Sequence, residues 1–240
     1  MASKRYKKVL LFRFFAYLSI LSGFTIALLI AEPVVFSEFN YRKNQLLGIK
    51  YSLGTTTVVT SSGEVEETPP PTNESGPGFS SLGSSNEEII KPVSTEYGIV
   101  IEKINANAKV IPQVDPSKEG EYVKALLSGV AEAKGSTEPG QPGNVYLFSH
   151  STDAPWNIVR YNAIFYLLRE LEKGDRIVVF YKGRRYNYIV FDKTITKPSD
   201  LTFLANRYDK PVLTLQTCDP PGTLINRLVV RAQLENTAVQ

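Results

Sequence analysis

Residues 211–230, PVLTLQTCDPPGTLINRLVV, hold two apolar, β-favouring runs separated by a Pro/Gly-rich turn. The first run closes at Cys218, the single cysteine of the 240-residue chain, and the second opens with Arg227. Because the connection is short, the two runs predict neighbouring strands, with both side chains near one edge of a sheet. The single histidine, His150, follows another strand-like run, 144–148. The question is whether these three side chains form one reaction centre.

The N-terminus predicts where such a centre would work. An uncharged stretch, 14–31, measures roughly 27 Å as a helix, close to the thickness of a bilayer core. Five basic residues precede this stretch: Lys4, Arg5, Lys7, Lys8 and Arg13. Basic residues before a span favour the cytoplasmic side, so we expect residues 1–13 to be cytoplasmic. We expect a single-pass plasma-membrane protein whose C-terminal part is extracellular. The alternative, a cleaved signal peptide, is disfavoured because its apolar region spans only about 7–15 residues.

An extracellular location makes the cysteine informative. A lone exported cysteine cannot form an internal disulfide, and proteins outside the cytoplasm rarely keep an idle thiol. The formal net charge is only +3, and much of the basic excess lies beside the apolar stretch, where membrane topology explains it. No basic-aromatic patch stands out elsewhere, so a nucleic-acid role finds little support.

Composition divides the rest of the chain into three parts. Residues 32–97 form a juxtamembrane segment and linker, in which Ser, Thr, Gly, Pro and Glu dominate from 52 onward and predict a flexible tether. Residues 98–234 are long enough for a single core and predict the folded domain. Residues 235–240 remain as a C-terminal tail.

Periodicity within the folded part predicts many short strands and few helices. Paired strands are expected in 98–114, a hairpin across Lys182 and Gly183, a helix within 118–133 and a short helix in 163–172. This pattern predicts an all-β fold with short helices, built as a closed antiparallel barrel.

The three residues suit acyl transfer. The thiolate of Cys218 would be the nucleophile, and His150 would give a proton to a departing amine. Arginine stays charged and offers several donors, so Arg227 could hold a developing oxyanion. Arg231 points to the same face but lies roughly 13 Å further along the strand. Taken singly, a histidine or an arginine at a strand end is more often structural or solvated.

Other site chemistries find less support. A zinc site usually draws its ligands from several Cys and His positions, and this chain offers one of each. Neither a Walker A nor a dinucleotide-binding fingerprint is present. We therefore predict no metal and no cofactor.

The sequence TLQTC at 214–218, followed by an arginine that opens the next strand at Arg227, resembles the sortase signature. The match extends upstream to 142–145 and 168–178, and the resemblance covers 98–234. Ser149 departs from the family pattern, which usually has glycine before the histidine. The turn at 219–222 is closer to classes D, E and F than to class A or B.

The resemblance implies an eight-stranded sortase barrel and a membrane-bound cysteine transpeptidase. Its partners would be secreted proteins with a C-terminal Leu-Pro-x-Thr-Gly-like sorting signal and an amine on a cell-wall precursor or a pilin. Cys218, His150 and Arg227 would be nucleophile, acid/base and oxyanion or substrate clamp, with a thioacyl intermediate on the cysteine. Substrate contacts would come from the signature and from the loop 194–210, namely from Thr217, Leu201, Phe203 and Leu204.

Two alternatives stay open at this point. Water could resolve the thioacyl intermediate, which would make the protein a sorting-signal endopeptidase with the same three residues. A non-catalytic, membrane-tethered binding barrel would keep Cys218 buried and inert. An L,D-transpeptidase is disfavoured, because its catalytic residues cluster around one cysteine motif, whereas His150 and Cys218 are far apart in this sequence.

Overall fold

The computed structural model describes residues 4–53, 87–151, 164–205 and 207–235. The chain begins with one long helix, α1 (Lys4–Leu46). Within α1, Lys8–Ile26 is apolar and long enough to cross a membrane, and it is the one such span among the described residues. The predicted span, 14–31, overlaps this segment.

Eight strands close into a barrel, so the predicted eight-stranded fold is confirmed. The strands are β3 (Tyr97–Ile101), β4 (Ala106–Val114), β5 (Val130–Ala133), β6 (Gly143–Phe148), β7 (Arg176–Tyr181), β8 (Arg184–Thr196), β9 (Pro211–Asp219) and β10 (Asn226–Leu234). Their order around the barrel is β10-β8-β7-β3-β4-β5-β6-β9. Two short helices, α2 (Glu119–Leu126) and α3 (Thr202–Ala205), lie in the connections.

The barrel is not wholly antiparallel, and here the sequence-based expectation was wrong. β4 pairs with β5 and β6 pairs with β9 in parallel. Parallel neighbours need a long crossover connection, and α2 lies in the one that joins β4 to β5. The parallel β6–β9 pair brings the end of the histidine strand level with the end of the cysteine strand.

The periodicity of the sequence predicted most helices and strands correctly and two helices incorrectly. The hairpin of β7 and β8 is confirmed, with Lys182 and Gly183 both at positive φ, as a tight two-residue turn requires. The helix expected within 118–133 stops at Leu126, and the rest forms β5, which is buried on both faces. The helix expected at 163–172 is a short 3₁₀ helix, Tyr166–Glu170; residue 163 lies outside the described residues.

The core fills the barrel with aliphatic side chains and a few aromatic ones. On β9, Leu213 and Leu215 point inward, and on β6, Val145 and Leu147 do the same. Side chains alternate along a strand, so Gln216 and Cys218 lie on the outer face of β9. The candidate site is therefore on the outside of the barrel wall.

Part of the predicted linker is folded. β1 (Lys50–Leu53) pairs in parallel with β2 (Glu87–Ile90), and Ile90 packs against Val100, Val178 and Phe180 on the barrel's outer surface. The main-chain N–H of Leu53 also donates to Glu102 at 2.8 Å. The tether expected from residue 52 to 97 thus has structured ends. Its remainder, 54–86, and the tail residues 236–240 lie outside the described residues.

The end of α1 also contacts the barrel. Arg169 forms an ion pair with Glu38 at 2.9 Å, and the ring of Tyr41 packs against the main core. The Asn44 amide donates to the hydroxyl of Tyr51 at 2.7 Å, which joins α1 to β1. These contacts dock the helix that carries the candidate span onto the barrel.

Candidate active site

Cys218 and Arg227 face each other across two adjacent strands. They are a directly paired position in the antiparallel ladder between β9 and β10. The short turn between the strands fixes this pairing, since it leaves little slack for another register. The two side chains therefore share one neighbourhood at the edge of the barrel.

His150 reaches the same place from β6. The parallel ladder pairs Phe148 with Gln216, and it continues past the strand end, where the N–H of Ser149 donates to the Gln216 carbonyl at 3.1 Å. The hydroxyl of Thr217 donates to the Ser149 carbonyl at 2.9 Å. These two bonds extend the parallel alignment past the strand end, so that His150 lies level with Cys218 and both residues line one cavity.

A cavity of about 290 Å³ contains all three residues. Its floor comes from β6 and β9, one wall from the α2 region, the other wall from the segment before and within α3, and its rim from the β9–β10 connection. The residues that line it are Pro116, Tyr122, Leu126, Tyr146, Phe148, Ser149, His150, Pro198, Asp200, Leu201, Leu204, Gln216, Thr217, Cys218, Leu224 and Arg227.

The electrostatics of the cavity favour a neutral thiol at rest. Burial of Cys218 raises its pKa above the ordinary value, and the positive charge of Arg227 offsets this only in part. The net direction is upward because removing the thiolate from water costs more than one nearby cation returns. Ionisation of Cys218 therefore needs a further favourable charge or a proton acceptor in the cavity.

The two candidate arginines have different surroundings. Arg231 is engaged in an ion pair with Asp192 at 2.8 Å, and its guanidinium lies 5.1 Å from the ring centre of Phe191. Arg227 lines the cavity and donates to the main-chain carbonyl of Asn226 at 3.1 Å. No ion pair of Arg227 is found among the residues that the structure describes. Its remaining donors can therefore serve a ligand.

The predicted substrate-contact residues divide into two groups. Leu201 and Leu204 line the cavity. Phe203 instead packs against the Arg231 guanidinium, 5.3 Å from its ring centre, and its carbonyl accepts a hydrogen bond from Asn144. Thr217 lines the cavity but is buried, and its hydroxyl is used by the Ser149 carbonyl.

Several lining residues were missed by sequence reasoning. Tyr122 and Leu126 come from α2, which approaches the site only through the folding of the chain. Gln216 could have been found, because it lies two positions before Cys218 and therefore on the same face of the strand. Ser149, the departure from the family pattern, is buried, and its hydroxyl has no hydrogen-bond partner among the described residues.

The described residues contain no group of three or more His, Cys, Asp or Glu side chains arranged to hold a metal ion.

A closed barrel that brings a cysteine, a histidine and an arginine to one cavity has the side chains that a cysteine-dependent acyl-transfer enzyme needs. The family model for the sortase domain matches residues 99–235, which is more than half of the chain. The chain therefore belongs to the sortase family.

Individual relatives come from several sortase classes. Sortase D of Bacillus subtilis (strain 168) is 26% identical over 152 residues, which cover 62% of this chain and 68% of that protein. Sortase C-1 of Actinomyces oris is 27% identical with a TM-score of 0.49 and covers 60% of this chain and 76% of its own. A lid mutant of sortase A from Corynebacterium diphtheriae is 25% identical with a TM-score of 0.49, covering 60% and 71%. The similarity to sortase D is consistent with the expected lean towards classes D, E and F.

Proposed function

We propose that this protein is a membrane-anchored transpeptidase that works outside the cytoplasm. It would cleave a C-terminal sorting signal of the Leu-Pro-x-Thr-Gly type and transfer the carboxyl fragment to an amine on a cell-wall precursor or a pilin. The observation that carries this proposal is the meeting of Cys218, His150 and Arg227 at one cavity of a sortase-family barrel.

Cys218 is the proposed nucleophile. Its sulfur attacks the scissile carbonyl, the carbon–nitrogen bond breaks, and the carboxyl fragment stays on the sulfur as a thioester. Because burial raises the pKa of Cys218, the thiol is largely protonated in the empty site. Its proton must leave before or during the attack, and a group at the cavity has to receive it.

His150 is the proposed proton carrier. As a neutral imidazole it can accept the thiol proton, and as imidazolium it can give that proton to the departing amine. The incoming amine then loses a proton to the same imidazole as it attacks the thioester, which restores the free thiol. The position of His150, fixed by the Ser149–Gln216 and Thr217–Ser149 bonds, supports this role.

Arg227 is the proposed oxyanion or substrate clamp. Attack on a carbonyl places negative charge on its oxygen, and guanidinium donors that are already in place stabilise that charge. Arg227 lies directly opposite Cys218 in the ladder, whereas Arg231 is held by Asp192. The removal of one oxyanion donor typically costs about 10²- to 10³-fold in kcat.

The N-terminal helix is the proposed anchor. Basic residues lie before and at the beginning of Lys8–Ile26, which favours a cytoplasmic N-terminus and an extracellular barrel. Since the far end of α1 contacts the barrel, the anchor would hold the catalytic domain close to the membrane.

Purified protein and a sorting-signal peptide test the proposal. Mass spectrometry of the intact protein should show an acyl adduct on Cys218, and added amine should convert the peptide to an amide. Free acid as the only product, even with excess amine, would mean hydrolysis rather than transfer. The Cys218→Ala variant should form no adduct and no product, and normal turnover by this variant would refute the mechanism.

A further inference from the structure

Two polar residues at the floor of the cavity have no part in the acyl transfer described above. Gln216 lies on the outer face of β9, half-buried, and Tyr146 lies on the adjacent strand β6, almost fully buried. The Tyr146 hydroxyl donates a short hydrogen bond to the side-chain oxygen of Gln216. Both residues line the cavity that contains Cys218.

This bond orients the carboxamide of Gln216. A carboxamide has one acceptor oxygen and an NH₂ group with two donors. Tyr146 engages the oxygen, and no partner for the NH₂ group is found among the described residues. The NH₂ group is therefore available to a ligand that supplies a hydrogen-bond acceptor.

Two other polar side chains that line the cavity already use hydrogen bonds within the protein. Asp200 accepts hydrogen bonds from the Thr196 hydroxyl at 2.6 Å and from the Thr202 N–H at 3.0 Å. Thr217 donates its hydroxyl proton to the main chain. Together with the guanidinium of Arg227, the free NH₂ group of Gln216 makes this part of the cavity a donor surface. Such a surface favours substrate groups that accept hydrogen bonds.

The position of Gln216 relates it to one part of the substrate. It precedes Cys218 by two residues on the same strand face, so the two side chains lie about 6.6 Å apart along β9. An extended peptide rises at nearly the same rate. A side chain within two residues of the scissile carbonyl can therefore reach Gln216.

We propose that Gln216, held by Tyr146, is a specificity-determining residue that selects a hydrogen-bond acceptor in the sorting signal. Within a Leu-Pro-x-Thr-Gly-like signal, the hydrogen-bond acceptor is the carboxamide or carboxylate side chain of the residue at the variable position x. This inference rests on the proposed function, since it assigns a part of the same acyl-donor site.

The test uses full-length protein in detergent and five peptides that differ only at the variable position, with Asn, Asp, Ala, Leu or Lys. Wild-type protein should show a kcat/KM for the Asn and Asp peptides about tenfold above that for Leu, the factor that one hydrogen bond to substrate supplies. Gln216→Leu, similar in size but without the amide, should reduce this preference to less than twofold while turnover of the Leu peptide persists. Tyr146→Phe should weaken the preference, because it frees the carboxamide to rotate.

Gln233→Leu is the matched control. Gln233 is half-buried on β10, about 20 Å along the strand from Arg227, and it does not line the cavity. This variant should keep the wild-type preference. Equal loss of activity on all five peptides in Gln216→Leu, or no preference in the wild type, would overturn the inference. Failure of wild-type protein to turn over any peptide would instead count against the proposed function.

Discussion

The hydroxyl of Thr217 is expected to set the distance between the histidine and the cysteine. It donates to the Ser149 carbonyl at 2.9 Å in a fully buried pair, one residue from Cys218 on one strand and one residue from His150 on the other. In Thr217→Val the shape of the side chain is kept but the donor is lost. The Ser149 carbonyl is then buried with one bond fewer, which costs about 1–3 kcal/mol.

Two measurements follow from this change. For a domain of this size, 1 kcal/mol corresponds to a shift of about 3–5 °C in Tm, so Tm should be roughly 3–15 °C lower. Movement of the Ser149 carbonyl also displaces His150, and a misplacement of about 1 Å can cost up to 10²-fold in rate. We therefore expect kcat to fall by about 10- to 100-fold at a temperature at which the variant is folded.

The control is Thr194→Val, at a half-buried threonine of β8 that pairs with Val229. Its hydroxyl has no hydrogen bond among the described residues, so both Tm and kcat should stay close to the wild-type values. If Thr217→Val matched this control in both measurements, the bond between β6 and β9 would not position the histidine.

Three further predictions address the arginines, the strand β2 and the thiol. Arg227→Lys should lower kcat by about 10²-fold or more in the peptide assay with little change in Tm, whereas Arg231→Lys should lower Tm and leave kcat within about threefold. Ile90→Ala should lower the free energy of unfolding by about 2 kcal/mol in a denaturant titration, because Ile90 is only 7% exposed. The control Ile89→Ala, at a side chain that is 65% exposed, should change it by less than about 0.5 kcal/mol. Equal effects of the two changes would mean that β2 is not packed against the barrel. The rate of Cys218 alkylation should rise with pH through a midpoint above that of a free thiol, because burial raises the pKa of Cys218. The folded state keeps this proton to higher pH than the unfolded state does, so the free energy of unfolding should fall as pH rises through this range. An alkylation midpoint below the free-thiol value would refute the raised pKa.

The pairing of Cys218 with Arg227 could be predicted from the sequence because the two residues lie close together in the chain. Two β-favouring runs joined by a short Pro/Gly turn have few ways to pair, and the antiparallel ladder follows. The same holds for the hairpin of β7 and β8. In each case the residues that decide the contact are close together in the chain.

The place of His150 beside Cys218 could not be derived from spacing alone. It depends on the parallel pairing of β6 with β9, and the part of the chain between these strands includes β7 and β8. Local periodicity cannot indicate which distant strand becomes a neighbour, and the resemblance to a known family supplied that information. The same limit explains the incorrect expectation of an antiparallel barrel.

The lining of the cavity shows which residues the alternation of side chains along a strand can predict and which it cannot. Gln216 follows from a period of two along β9, but its partner Tyr146 lies on another strand. Phe203 was expected in the pocket with Leu201 and Leu204. A short helix turns its ring towards Arg231 instead, and only the packed structure shows which side of that helix faces the cavity.

By itself, the sequence indicated the apolar span at the N-terminus, the barrel class and the three candidate side chains, because hydrophobic patterning, turn residues and a rare cysteine act over a few positions. Only the tertiary structure decided which strands run parallel, which residues form the cavity walls, and that β1, β2 and the end of α1 pack against the barrel. These outcomes depend on contacts between segments far apart in the chain. Their free energy is gained only when the whole barrel closes, and no short stretch of sequence records it.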